Sequence, residues 1–255
     1  MTRVLTAALG ILLVLAVTLW DLDWAFVLVV LLVAALGLDE FLAMASRRGW
    51  RRPGRWALVP GVAVTLAFRL DPQWIVWALA GNLFLLSIVS IASGRGAEHL
   101  EYLAFGAAGT IYACMLPGFL LLLSPQSIWV LLATVWAGDT AAFYGGRLLG
   151  RHRLAPVVSP NKTVEGAIAG GLASIVAGTA VGYAVLGASV PALIGLCLLT
   201  GAAGQLGDLV ESAMKRTAGI KDSSRRLPGH GGVLDRVDSL LFAAPVFGFC
   251  MTWIR

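Results

Sequence analysis

"DWAFVLVVLLVAALGLDEFLAMA", residues 23–45, decides the class of fold. After Asp23 it carries no charge until Asp39 and Glu40. An α-helix needs about 20 apolar residues to cross the hydrocarbon core of a bilayer. Runs of that kind recur at roughly 4–20, 73–93, 102–123, 127–149, 165–187, 190–211 and 239–254, and a shorter one lies at 56–68. Of the 255 residues, 58% are hydrophobic and only 13% charged, with mean hydropathy +0.84. A soluble domain carries about 25% charged residues. The chain therefore reads as an all-α polytopic membrane protein with about nine transmembrane helices. Backbone at membrane depth must satisfy its own hydrogen bonds, which helices do. The longest polar stretch, roughly 212–238, is too short to hold a soluble core.

Loop charge sets the orientation. With the N-terminus in the cytoplasm, every Lys and Arg except Arg69 and Arg255 falls at a cytoplasmic loop or helix end. That is the positive-inside bias, and it places the C-terminus outside. The short 56–68 run must then cross, because otherwise the later loops would change sides. The N-terminal run resembles a signal peptide but has no clear cleavage site, so it reads as a retained helix. Cys114, Cys197 and Cys250 are scattered through apolar runs without a CxxC, and read as small packing residues. "EGAIAGGLASIVAGTAVG" (165–182) is rich in the small residues that let membrane helices pack closely.

Several acids interrupt the apolar runs. Asp139 lies in "VWAGDTAAFYGG", Asp208 and Glu211 in "GQLGDLVES", and Asp39 and Glu40 in "GLDEFLAM". An acid within a span is a candidate functional residue. Asp39 and Glu40 stand near an inner end, where a water-facing interfacial role is an equal alternative. Asp208, Glu211, Ser212 and Lys215 have the spacing of one helical face. With Asp139 they predict a polar cavity open to the cytoplasm.

The densest polar block is "ESAMKRTAGIKDSSRRLPGHGGVLDRVDS" (211–239). Its cations suit topology and anionic lipid. Interleaved carboxylates and a His-Gly-Gly do not follow from topology. Gly231 and Gly232 allow backbone N–H groups to approach phosphate. Carboxylates without a Cys or His cluster suit Mg²⁺, which takes one or two carboxylates plus substrate phosphates. "SPNKTVEG" (159–166) adds Lys162 and Thr163 beside a helix N-terminus that favours anions. The pieces describe a metal-bridged phosphate site. Walker, HExxH, GxSxG and zinc patterns are absent.

Ser212, Lys215, Arg216, Lys221, Asp222, Pro228, His230, Gly231, Gly232, Asp235, Arg236 and Asp238 together resemble the signature of the phosphatidate cytidylyltransferases, or CDP-diacylglycerol synthases. "GDTAAFYGGRLLG" (138–150) and "SPNKTVEG" also resemble segments of that family, so the likeness covers about residues 136–239. It implies that CTP and phosphatidate give CDP-diacylglycerol and pyrophosphate in phospholipid biosynthesis. It also implies a metal pair on Asp208 and Asp235, Mg²⁺ with a neighbour such as K⁺, and a homodimer whose site faces the cytoplasm. The expected location is the bacterial cytoplasmic (inner) membrane, with the lipid bilayer but no nucleic acid as partner.

On this reading residues 1–130 hold about five membrane helices, and 131–255 hold the catalytic helices and charged loops. Asp208, Asp235, Lys215 and His230 form the catalytic set, with His230 as phosphate donor or loop organiser. Lys162, Thr163, Ser212, Arg216, Lys221, Gly231, Gly232 and Arg236 bind substrate phosphates. Asp139, Asp222 and Asp238 support them. A CTP-dependent kinase of polyprenol or another lipid alcohol is the alternative chemistry. A transporter fits less well, because no internal repeat is visible and the charge clusters on one side.

Overall fold

The computed structural model describes residues 23–94, 96–227, 229 and 231–254. The expected helix at 4–20, His230 and Pro228 lie outside the described residues. The helices are α1 (Asp23–Arg47), α2 (Leu58–Leu70), α3 (Pro72–Ala92), α4 (His99–Thr110), α5 (Pro125–Leu149), α6 (Val164–Leu186), α7 (Val190–Thr217) and α8 (Leu234–Met251). An antiparallel hairpin of β1 (Arg153–Ala155) and β2 (Ser159–Thr163) precedes α6, pairing Arg153 with Thr163 and Ala155 with Ser159. Its polar, proline-bearing sequence gives no strand periodicity, and the sequence reading contains no strands.

Among the described residues six segments are long and apolar enough to cross a bilayer: α1, α3, α4 with its extension to Leu122, α5, α6 and α7. The expected short span appears as α2, whose 13 residues make about 20 Å of helix against a hydrocarbon core of roughly 30 Å. The last helix begins at Leu234 rather than near 239. Asp235 and Asp238 therefore belong to the start of α8, where acids complement the helix dipole.

Helix starts follow local chemistry. Asp71 caps α3, accepting a hydrogen bond from the Gln73 N–H at 2.9 Å, with Pro72 next in the chain. Ser124 caps α5 in the same way, followed by Pro125. Proline fits a first turn because its missing N–H has no partner there anyway. Beyond α4 the chain passes through a π-helical turn at Ile111–Met115 before Pro117. Thr65 donates to the Cys114 carbonyl in that turn at 2.8 Å. A side-chain donor is what such an irregular stretch needs inside a membrane.

The chain packs as two units: residues up to Leu122 with Thr217–Arg236, and Leu123–Arg216 with Val237–Arg255. In the first, Val30, Phe68 and Leu121 form one buried cluster, and Ala57, Leu86 and Tyr102 another. In the second, the glycine-rich sequence is used as expected for close packing. Gly166, Gly170, Ser174, Gly178 and Gly182 form a buried stripe every fourth residue of α6. A Cβ on Gly170 would stand 2.9 Å from Ala142 Cβ on α5. Ser174 donates to the Thr134 carbonyl at 2.8 Å, and Gln205 of α7 donates to the Ala167 carbonyl at 3.0 Å.

Candidate active site

In the second unit the β-hairpin is fixed at its base by Glu165. Its carboxylate accepts from the Arg151 N–H at 3.0 Å and the His152 N–H at 3.2 Å, and pairs with His152 Nδ1 at 2.6 Å. Thr163 caps α6, its hydroxyl accepting from the Gly166 N–H at 3.1 Å. That buries Thr163 and gives its hydroxyl a structural partner. Lys162, one residue earlier on β2, projects its ammonium to Asp208 Oδ2 of α7 at 2.6 Å.

The predicted polar face of α7 is present. Ser212 donates to Asp208 Oδ1 at 3.4 Å, and Lys215 pairs with the fully buried Glu211 one turn away. Asp238 of α8 feels the charges of Asp208, Asp139 and Lys215, and Asp139 feels those of Asp208 and Lys162. Ser239 donates to Asp139 Oδ1 at 3.4 Å, and its N–H donates to Asp238 Oδ1 at 2.8 Å. The fold thus gathers Asp139, Asp208, Asp238, Lys162 and Lys215 from α5, β2, α7 and α8. Arg216, at the end of α7, donates to the Val158 carbonyl at 3.3 Å.

In the first unit the signature loop has a different construction. Asp235 Oδ2 accepts from the Ser223 N–H at 2.9 Å, the Ser223 hydroxyl at 2.8 Å and the Gly232 N–H at 2.7 Å. The Gly232 amide, expected to face phosphate, is engaged by a carboxylate of the protein. The Leu227 N–H donates to the Gly231 carbonyl at 2.9 Å, and Gly231 takes a positive φ of 80°. That backbone suits glycine. Lys221, Asp222, Arg225, Arg226 and Arg236 are exposed on this loop and helix start.

Asp39 and Glu40 of α1 also belong here. Asp39 pairs with Arg226, and with Arg55 at 3.5 Å. Glu40 is only 1% exposed, so the water-facing alternative does not hold for it. The flanking apolar residues Leu38, Phe41 and Leu42, all buried, are the sequence signal that could have placed Glu40 on an inward face. The roles of Ser223, Ser224, Ser239 and Glu165 had no such signal, because each depends on a partner brought by tertiary packing.

Among the described residues no three His, Cys, Asp or Glu side chains form a group that could hold a metal ion. Mg²⁺ does not require such a cage, since substrate phosphates and water complete its shell. The all-oxygen set of Asp208 and Asp238, set among like charges, fits that ion.

Comparison with known proteins gives a consistent assignment. A model of the "Cytidylyltransferase family" matches residues 1–254. A protein of Brucella suis biovar 1 (strain 1330), named phosphatidate cytidylyltransferase, is 38% identical over 95% of this chain and 90% of its own length. One of the same name from Staphylococcus haemolyticus (strain JCSC1435) is 32% identical over 98% of both. That of Staphylococcus aureus (strain COL) is 48% identical, but the match spans about half of each chain, 46% of this one and 45% of the relative. With a family match along nearly its whole length, the chain belongs to the cytidylyltransferase family.

Proposed function

We propose that the chain is a phosphatidate cytidylyltransferase, which joins CTP and phosphatidate to give CDP-diacylglycerol and pyrophosphate. The observation that carries this reading is the meeting of three carboxylates, Asp139, Asp208 and Asp238, with the ammoniums of Lys162 and Lys215. Like charges gathered in this way repel unless a cation or a proton compensates them. The names and coverage of the Brucella and S. haemolyticus relatives support the substrate class.

The nucleophile is a phosphate oxygen of the lipid, attacking the α-phosphorus of CTP. A phosphate monoester has a second pKa of about 6 and is largely ionised at neutral pH, so little help from a general base is needed. The difficulty is to bring two polyanions together and align them. Bound Mg²⁺ would neutralise phosphate charge and favour departure of pyrophosphate. Asp208 and Asp238 would hold it. Asp235, the second ligand implied by the resemblance, has hydrogen bonds that support a loop-bracing role. Lys162 and Lys215 would exchange their carboxylate partners for substrate phosphates. Arg216 adds positive charge for the same anions, and Asp139 with Ser239 orients Asp238. Nine spans, a cytoplasmic N-terminus and a cytoplasmic-membrane location complete the proposal, supported by the loop arginines and the bacterial relatives, with a homodimer as the resemblance implies.

The test is purified protein with CTP, Mg²⁺ and phosphatidate, following pyrophosphate and the lipid product by mass. CTP-dependent pyrophosphate that disappears on chelation is expected. CDP released in its place would mark a lipid kinase, and no nucleotide product would overturn the reading.

A further inference from the structure

Glu40 lies on α1, in the half of the chain that carries none of the signature. A buried carboxylate is costly unless its lone pairs are filled. Those of Glu40 are filled from both ends of the loop. Oε1 accepts from the Ser224 hydroxyl at 2.7 Å and the Val233 N–H at 3.0 Å. Oε2 accepts from the Leu234 N–H at 3.0 Å and shares the one proton of the Ser223 hydroxyl, also 3.0 Å away, with Asp235. The first N–H groups of a helix have no partner inside it. Glu40 thus caps α8 from a separate helix, and its charge complements the dipole there. The same carboxylate explains the second glycine of the Gly-Gly pair. A Cβ on Gly232 would collide with Ser223 Oγ and Glu40 Oε2.

We infer that Glu40 is a positioning residue for the phosphate-handling loop. It does not touch substrate. It ties Ser223–Ser224 to Val233–Leu234, and so holds the segment that presents Lys221, Asp235 and Arg236. The inference rests on the proposed function for its catalytic consequence, but not for the loop anchoring itself.

The test compares full-length wild type with Glu40→Gln and Ser224→Ala in detergent, by amide hydrogen exchange and by steady-state kinetics. Glutamine keeps the shape but turns an N–H₂ toward two of the four donors. In Glu40→Gln, exchange in peptides covering 222–236 rises at least about tenfold while the membrane helices stay protected. The kcat falls about 100-fold, as expected when reacting groups are displaced by about 1 Å. Ser224→Ala gives a smaller change of the same kind. Wild-type exchange in the loop of Glu40→Gln overturns the inference. A looser loop with unchanged kcat overturns the positioning role. If Glu40→Gln does not fold, Ser224→Ala decides: faster loop exchange with reduced kcat supports the inference, and no change in either overturns it. A loosened loop in Glu40→Gln, in a protein whose wild type makes no pyrophosphate, supports the anchoring while the proposed function fails.

Discussion

The two units each gather acids, and use them in opposite ways. In the first, Glu40 and Asp235 meet backbone N–H groups and serine hydroxyls, with the Ser223 hydroxyl within reach of both. In the second, Asp139, Asp208 and Asp238 meet one another and two lysines. A carboxylate filled by neutral donors is stable as it stands, and braces whatever supplies those donors. Carboxylates set against like charge are held in a costly arrangement that a cationic ligand relieves. The contrast distinguishes acids filled by neutral donors from acids set against like charge, and on the proposed function the first are scaffold and the second working acids.

The largest expected effect is on the working side. Asp208→Asn should lower pyrophosphate release by at least about 1,000-fold, the order of losing several kcal/mol of metal-based charge stabilisation, in a protein that still folds. Near-normal turnover would break the comparison. Next, Asp238→Asn and Asp235→Asn should each cost about 100-fold in kcat, the scale of losing one preorganised charged contact. Only Asp238→Asn should raise the Mg²⁺ concentration needed for half-maximal rate. Only Asp235→Asn should speed amide exchange across 222–236. Equal behaviour of the two variants would erase the distinction between bracing and working acids.

A smaller effect is expected at Lys162→Met. Losing one charge-assisted contact to phosphate should raise KM for CTP about tenfold with less change in kcat. The smallest is Thr163→Ala, which removes the cap of α6. It should cost about 1 kcal/mol of stability, read from denaturant unfolding of that helix. A large loss of activity with unchanged stability would instead give the Thr163 hydroxyl a direct role with substrate.

Much of the membrane architecture was legible, because long apolar runs admit little else. The polar face of α7 was legible too, since Asp208, Ser212 and Lys215 lie at helical spacing and Ser212 does reach Asp208. The hairpin was not, because its strands are short and its pairing is held by Glu165 from the following helix. Asp139, Asp208 and Asp238 each stand out in the sequence as acids. That they interact depends on the packing of α5, α7 and α8, which no local spacing encodes.

The sequence by itself determined that the chain is a helical membrane protein, and which acids, lysines and glycines stand out against its apolar background. Periodicity, apolar run length and residue type carry that information locally. Only the tertiary structure decided what each acid meets. The role of a carboxylate is set by the donors and charges that fold against it, and those come from distant parts of the chain. Glu40 and Asp235 received amides and hydroxyls, whereas Asp208 and Asp238 received each other and Lys162 and Lys215.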